Sequence, residues 1–267
     1  MIGIFNDNFP PILDGVALTV KNYADWLNKK QQDVCVVTAN APHERYDLPY
    51  PVHTYYSLPL IMRKPYRYGF PALDPKLQKK ISQLPLEIIH AHCPFMTGHL
   101  GLRIAHERHI PLVATFHSKY KQDFERSIPI DFVVNQMVHH VTNFYQKADE
   151  VWVPQASVEP VLRDYGYKGH VEVVDNGNDF ACPYLEVSSM RNKMRAQLGI
   201  KDGETMLLFV GQHIWEKNIG FILDALACIP NLPYKMYTIG IGYAENAIRE
   251  KIKSLGLENK ITMVSAE

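Results

Sequence analysis

Cysteine is scarce in this sequence: only Cys35, Cys93, Cys182 and Cys228 occur, with no Cys-x-x-Cys pair and no metal-finger spacing. That scatter excludes a disulfide framework and fits reduced, buried thiols in a cytosolic protein. An excess of one charge is also missing, because 28 Lys plus Arg face 28 Asp plus Glu. A chain so balanced has no global field with which to hold nucleic acid or an anionic membrane, so any anion must be gripped locally. No run of about 18 apolar residues occurs, which excludes a membrane-spanning helix. The opening residues Met1–Asp7 lack the basic stretch and cleavage site of a secretory leader. A Gly-x-Gly-x-x-Gly fingerprint is absent as well, which disfavours a nicotinamide or flavin dinucleotide.

What is present is a chain of 267 residues, 46% hydrophobic and 11% aromatic, enough for one large domain or two modest ones. Short β-rich runs alternate with segments of helical period. Met1–Phe5 and Val34–Thr38 read as buried strands, and Val16, Val20, Tyr23, Ala24 and Leu27 form one helical stripe between them. Such a unit is a right-handed parallel crossover. The pattern repeats with strands at Ile88–Ala91 and Leu112–Phe116 around a helix near Gly98–Glu107. A helix over Phe132–Lys147 and strands at Val151–Val153 and Val171–Val174 follow. In that helix Val133, Met137, Val138, Val141 and Phe144 read as a core stripe.

The rhythm breaks between Asp175 and Gly203, then restarts with strands at Met206–Val210, Lys235–Ile239 and Ile261–Val264 and helices at Ile219–Ile229 and Ala244–Leu255. The expected class is therefore α/β, with two Rossmann-like, doubly wound parallel-sheet domains. Residues 1–180 would form the first, 181–203 a linker, and 204–267 an incomplete second, since three strands and two helices are about half of such a domain.

Open parallel sheets bind ligands beyond the carboxyl ends of their strands, so those loops were read for chemistry. After the first strand, Gly15 directly precedes a helix, where a phosphate can approach the backbone amides. His90 and His92 share one face of a strand, and His117 ends the next. Three converging imidazoles are zinc chemistry, but no carboxylate or thiolate at ligand spacing accompanies them, so they read as hydrogen-bonding histidines. His117 stands out for a polar role near a substrate. Further on, Lys217 sits just before a helix, where its ammonium and the helix amides can grip one phosphate, or else it is a solvated surface lysine beside Glu216. Gly240 and Gly242 precede another helix. Arg63, Lys64, Tyr66, Arg67 and Tyr68 read as a solvated basic, aromatic loop.

Taken in order, these segments resemble the family-4-type (group 1) glycosyltransferases of the GT-B fold. FNDNFPPILDGVALTVKNYADWL is similar to that family's first loop and helix, and IIHAHCPFMTGHLGLRIAHERHIPLVATFHS to its "H-a-H-s-P … P-v-V-a-T-x-H" stretch. VVDNGND resembles its interdomain "N-G-v-D", LLFVGQHIWEKNIGFILDALA its "G-R-x-x-x-x-K" donor-phosphate motif, and YTIGIGYAENAIREKI its "G-x-G-P" segment.

The resemblance implies a retaining, metal-independent transfer of a sugar from a UDP- or GDP-linked donor. The acceptor would be an envelope glycan, a glycolipid or a small molecule, with no cofactor. His117 and Lys217 would be the catalytic pair, with Lys217 neutralising the departing nucleoside diphosphate. Gly15, Val16, Gln212, Lys217, Gly240 and Gly242 would contact the donor, His92, Lys119 and Tyr120 would line the acceptor side, and Asn176 and Asp179 would form the interdomain turn. A cytoplasmic enzyme peripheral to the inner face of the membrane follows.

Departures from the pattern accompany the matches. Gln212 stands where the family has Arg, and Gln155 and Asp175 where it more often has Ser and Pro. The family's "E-x-seven-E" motif does not occur before Glu267. The expectation is a chain truncated in its donor domain, with little turnover. The alternatives are a non-catalytic binding remnant of the same fold, or a nucleotide-sugar epimerase-like enzyme, which would need a carboxylate pair not evident here.

Overall fold

The computed structural model describes residues 1–12, 14–41, 45–60, 66–117, 119–177 and 187–264. Arg63 and Lys64 of the basic loop, Asp179 of the turn, and Cys182 lie outside the described residues. The chain divides into two compact units, Met1–Phe180 and Ala181–Glu267.

The first unit runs β1 (Ile2–Phe5), α1 (Gly15–Lys29), β2 (Val34–Ala39), β3 (Val52–Tyr55), β4 (Ser57–Pro59), β5 (Arg67–Gly69), α2 (Pro75–Ser82), β6 (Ile88–Ala91) and α3 (Met96–Arg108). It continues through β7 (Leu112–Thr115), α4 (Tyr120–Ser127), α5 (Asp131–Tyr145), β8 (Glu150–Val153), α6 (Glu159–Asp164) and β9 (Glu172–Val173). Seven strands form one parallel sheet in the order β3-β2-β1-β6-β7-β8-β9. Every residue of β2 and of β7 is buried, as expected of strands covered by helices on both faces. The order reverses between β1 and β6, which places the ligand crevice of this topology beyond the carboxyl ends of those two strands.

Helix α1 starts at Asp14, whose carboxylate caps it by accepting the Ala17 N–H at 2.7 Å. It buries Ala17, Val20 and Ala24 against the sheet. The stripe on α5 sits slightly differently from expectation. Val134, Val138, Val141 and Phe144 are buried, whereas Val133 is exposed with its neighbour Phe132. The inward face starts one residue later because Val134, not Val133, lies four residues before Val138.

Two residues of the region expected as a solvated loop lie in a strand. Arg67 and Tyr68 belong to an antiparallel hairpin of β4 and β5, register Ser57↔Gly69. Arg67 pins it, donating from Nε to Ser57 Oγ at 2.7 Å and from Nη2 to Ser57 O at 2.6 Å. Strands of three residues show too little alternation to be legible beforehand.

At the order reversal the loop after β1 is locked to α3. The Asp7 carboxylate accepts the Thr97 N–H at 2.9 Å and the Tyr55 hydroxyl at 3.1 Å, and it also accepts the Thr97 hydroxyl. The N-cap of α3, Phe95, offers no side-chain acceptor, so Asp7 supplies the missing cap from another element. Gly98 lets α3 lie this close to β6: a Cβ there would stand 1.8 Å from the Cys93 carbonyl oxygen.

The second unit runs α7 (Val187–Gln197), β10 (Thr205–Val210), α8 (Ile219–Ala227), β11 (Tyr234–Ile239), α9 (Glu245–Ser254) and β12 (Ile261–Val264). Its three strands are parallel in the order β10-β11-β12. The core packs Ile219, Leu223 and Leu226 of α8 with Ile248 and Ile252 of α9 against Met236 and Ile261 of the sheet.

Gly98→Ala is expected to destabilise the first unit by about 2 kcal/mol or more, because backbone must move to admit the methyl. Denaturant unfolding of the variant checks this; an unchanged midpoint would show that α3 does not depend on the close approach.

Candidate functional site

The crevice of the first unit is built from the chain just after β6 and β7. His90 lies within β6, His92 just beyond it, and His117 just beyond β7, and the sheet brings all three together. The rings of His90 and His92 lie 4.0 Å apart, and those of His92 and His117 stack at 5.1 Å with planes 15° apart. His92 Nδ1 and His117 Nε2 share a hydrogen bond of 2.9 Å, and His90 Nε2 shares one of 2.7 Å with Thr115 Oγ1. Tyr23 of α1 stands edge-on to His90, and Trp152 of β8 covers its other side. His90 and His92 are buried, and His117 is half-buried.

Burial keeps these imidazoles neutral. It pushes His90 down to about 3 and His117 to about 4, and it holds His92 well below the ordinary histidine range, helped by its two neighbours. What the group offers at neutral pH is therefore uncharged hydrogen bonding. Among the described residues, no group of three or more His, Cys, Asp or Glu is arranged to hold a metal ion.

The other residues singled out fall in different surroundings. Gly15 opens α1 with empty space where its Cβ would be, and Val16 follows it, half-buried. Asp14, the cap beside them, is pushed up by burial although its backbone hydrogen bonds oppose that. Lys119 is exposed. Tyr120, expected on the acceptor side, is instead a core residue: its ring packs edge-on to Phe95 and Phe116, and only 7% of it is exposed. As the first residue of α4 it turns inward, which its place in the sequence did not reveal. Asp7, Thr97 and Tyr55, which shape the crevice floor, were not singled out. The available signal was an acidic residue directly after the first strand.

In the second unit, Gly240 and Gly242 have a packing role. A Cβ on Gly240 would meet the Gly211 carbonyl oxygen at 1.9 Å, and one on Gly242 the His213 carbonyl oxygen at 2.3 Å. The contact between the loops after β10 and β11 accounts for both glycines without a ligand. Gln212 is half-buried in that first loop. Lys217 ends a turn of 3-10 helix at Trp215–Lys217, and Asn218 then leads into α8 in the left-handed region, with no side-chain cap. Lys217 is exposed and makes no ion pair among the described residues, while Glu216 accepts the Tyr243 hydroxyl at 2.6 Å. An exposed Lys217 beside Glu216 agrees with the solvated surface lysine that the sequence also allowed. His213 is buried with neither ring nitrogen partnered among the described residues, and no pattern in the sequence marked it.

An open groove of about 650 Å³ lies along Arg45–Thr54, beside the start of the edge strand β3.

Residues 13–181 match the family model of Glycosyltransferase Family 4. The chain belongs to that family. It is 28% identical over 268 residues to alpha-monoglucosyldiacylglycerol synthase of Streptococcus pneumoniae, covering 97% of this chain and 60% of that protein. A protein of the same name from Acholeplasma laidlawii is 25% identical, with 84% of this chain and 58% of that one covered. The chain thus spans about 60% of the length of these curated relatives. Among solved structures, it is similar to sucrose-phosphate synthase of Thermosynechococcus elongatus, with TM-score 0.78 and 17% identity over 100% of this chain and 70% of that one. It also resembles Anabaena HepE in complex with UDP, with TM-score 0.72 and 19% identity over 99% and 68%. At these identities the likeness establishes the fold, and the α/β class of GT-B type expected from the sequence is the one found.

The neutral histidines make stability depend on acid. Their folded values lie below the unfolded value of 6.5, so the unfolded chain binds more protons wherever the pH is between the two. Stability is fully present above about 6.5 and is lost as pH falls toward 4. His53, pushed down to about 4 by burial, acts in the same direction, so unfolding near pH 5 should take up protons. Unfolding free energies measured from pH 7 to pH 4.5 check the slope; a flat profile would mean that the imidazoles are charged in the folded protein.

Proposed function

We propose that this protein transfers a hexose from a UDP- or GDP-linked donor to a lipid acceptor, forming a glycolipid, with retention at the anomeric carbon and without a metal. The observation that carries the proposal is the family match over residues 13–181, because that span contains the crevice with His92 and His117. The names of the curated relatives support a diacylglycerol-type lipid as acceptor.

The chemistry follows from the residues. As the glycosidic bond breaks, negative charge grows on the departing nucleoside diphosphate. An exposed ammonium with no ion pair among the described residues, as in Lys217, is suited to stabilise that charge, together with the uncapped amides of α8. Gln212, where relatives in the family carry Arg, supplies a hydrogen bond without a charge. In the first unit, Gly15 and Val16 open α1 with backbone that a phosphate or sugar oxygen can approach. His117, neutral and half-buried, provides a hydrogen bond to the transferred sugar.

A lipid acceptor sits in a bilayer, and no helix among the described residues is long and apolar enough to cross one. The first unit does present an interfacial surface. Tyr56, Leu58, Tyr68, Phe70 and Leu73 are exposed on and beside the β4–β5 hairpin. The adjoining α2 buries Leu77 and Ile81 while exposing Lys76, Lys79 and Lys80. Exposed aromatic and basic side chains in adjoining elements suit an anionic headgroup layer, and this supports peripheral attachment at the cytoplasmic face.

The test is incubation of the protein with radiolabelled UDP-glucose or GDP-mannose and vesicles of diacylglycerol in anionic phospholipid, without divalent cations. Labelled glycolipid is expected, together with a higher Tm in the presence of the nucleotide. Neither product nor nucleotide-dependent stabilisation would leave a non-catalytic protein of the same fold. Conversion of the donor without acceptor would favour an epimerase. Where transfer is seen, Lys217→Ala should lower kcat by about a hundredfold or more while changing KM for the acceptor little. An unaffected kcat would remove Lys217 from the leaving-group role.

A further inference from the structure

One polar atom of the histidine cluster has no role in the chemistry above. Nε2 of His92 is buried, and no hydrogen-bond partner reaches it among the described residues. His90 cannot serve it, since His90 Nε2 already pairs with Thr115 Oγ1 at 2.7 Å. The opposite nitrogen of His92, Nδ1, shares the 2.9 Å bond with His117 Nε2.

A neutral imidazole carries one N–H and one bare acceptor nitrogen, so this pair has two possible arrangements. If His117 donates from Nε2, His92 must carry its own proton on Nε2, leaving a buried N–H with no acceptor. If His92 donates from Nδ1, its Nε2 is only an idle lone pair. An orphaned buried N–H is the rarer defect, and an under-used acceptor is better tolerated.

We infer that His92 donates Nδ1–H to Nε2 of His117 and so fixes His117 in the Nδ1–H tautomer, which meets its ligand as a hydrogen-bond donor. His92 is then a positioning residue rather than a group lining the acceptor side. Any ligand atom that hydrogen-bonds to His117 Nδ1 must then be an acceptor, which in a transferase is an oxygen of the sugar or of its phosphate. His117 in this state does not take a proton from the attacking hydroxyl. The nature of that oxygen rests on the proposed transferase reading, whereas the tautomer does not.

Nitrogen-15 NMR of the histidine-labelled chain at neutral pH, without substrate, reads the tautomer directly, with His117→Gln providing the assignment. The unaltered protein should show His117 protonated on Nδ1 and bare on Nε2. His92→Phe fills the same space with no donor, and His117 should then move to the Nε2–H form that an unrestrained imidazole favours. His92→Asn places an amide N–H near the site of Nδ1 and should restore the Nδ1–H form. A proton on Nε2 of His117 in the unaltered protein overturns the inference, whatever becomes of the variants. An unchanged His117 signal in a folded His92→Phe protein does so too. Absence of sugar transfer by a protein showing the expected tautomer would count against the transferase reading alone.

Discussion

The carboxylate of Asp7 joins the parts on which the first unit's crevice depends. It stands just past β1, where the strand order reverses, and it binds the first turn of α3 through Thr97 and the edge strand β3 through Tyr55. Thr97 and Tyr55 are buried, so each hydrogen bond they make to Asp7 replaces one that water would have supplied. With Gly98 removing the side chain that would hold α3 away from Cys93, the loops after β1 and β6 are set at a fixed distance. His92 inherits its place from that arrangement.

The same burial that orders the crevice also decides its chemistry. A histidine cluster open to water would gain and lose protons near neutrality. Here Tyr23, Trp152 and the sheet exclude water, and each imidazole is forced to remain neutral beside the others. The site thereby exchanges acid–base capacity for directed hydrogen bonds. Charge is kept elsewhere in the chain, as on the exposed ammonium of Lys217, which water solvates.

The alternation of strands and helices was readable because buried parallel strands are nearly continuous apolar runs and the helices between them carry a 3.6-residue stripe. The strands at Ile88–Ala91 and Ile261–Val264 were located to the residue. The hairpin of β4 and β5 was not, since its strands are three residues long and its order depends on Arg67 reaching back to Ser57. The one-residue offset of the α5 stripe belongs with it: only packing shows that Val134 rather than Val133 faces the sheet. His92, His117, Gly15 and Lys217 were visible as polar or small residues at strand ends and helix starts. Asp7 was not marked, because an acidic residue in the loop after β1 does not reveal by its position that it caps a helix 90 residues away.

By itself, the sequence determined the class of the fold, the ends of the strands at which chemistry had to lie, and the resemblance that the family match establishes. These are local or ordered properties, carried by periodicity and by motifs read one after another. Tertiary structure alone decided that Tyr120 packs inward and that Gly240 and Gly242 make room for neighbouring backbone. It also decided that His92 meets His117 through one nitrogen while the other is left idle. Each of these depends on what the folded chain brings against a residue from far away in sequence, and water exclusion at that contact sets both the protonation and the hydrogen-bonding sense of the side chain.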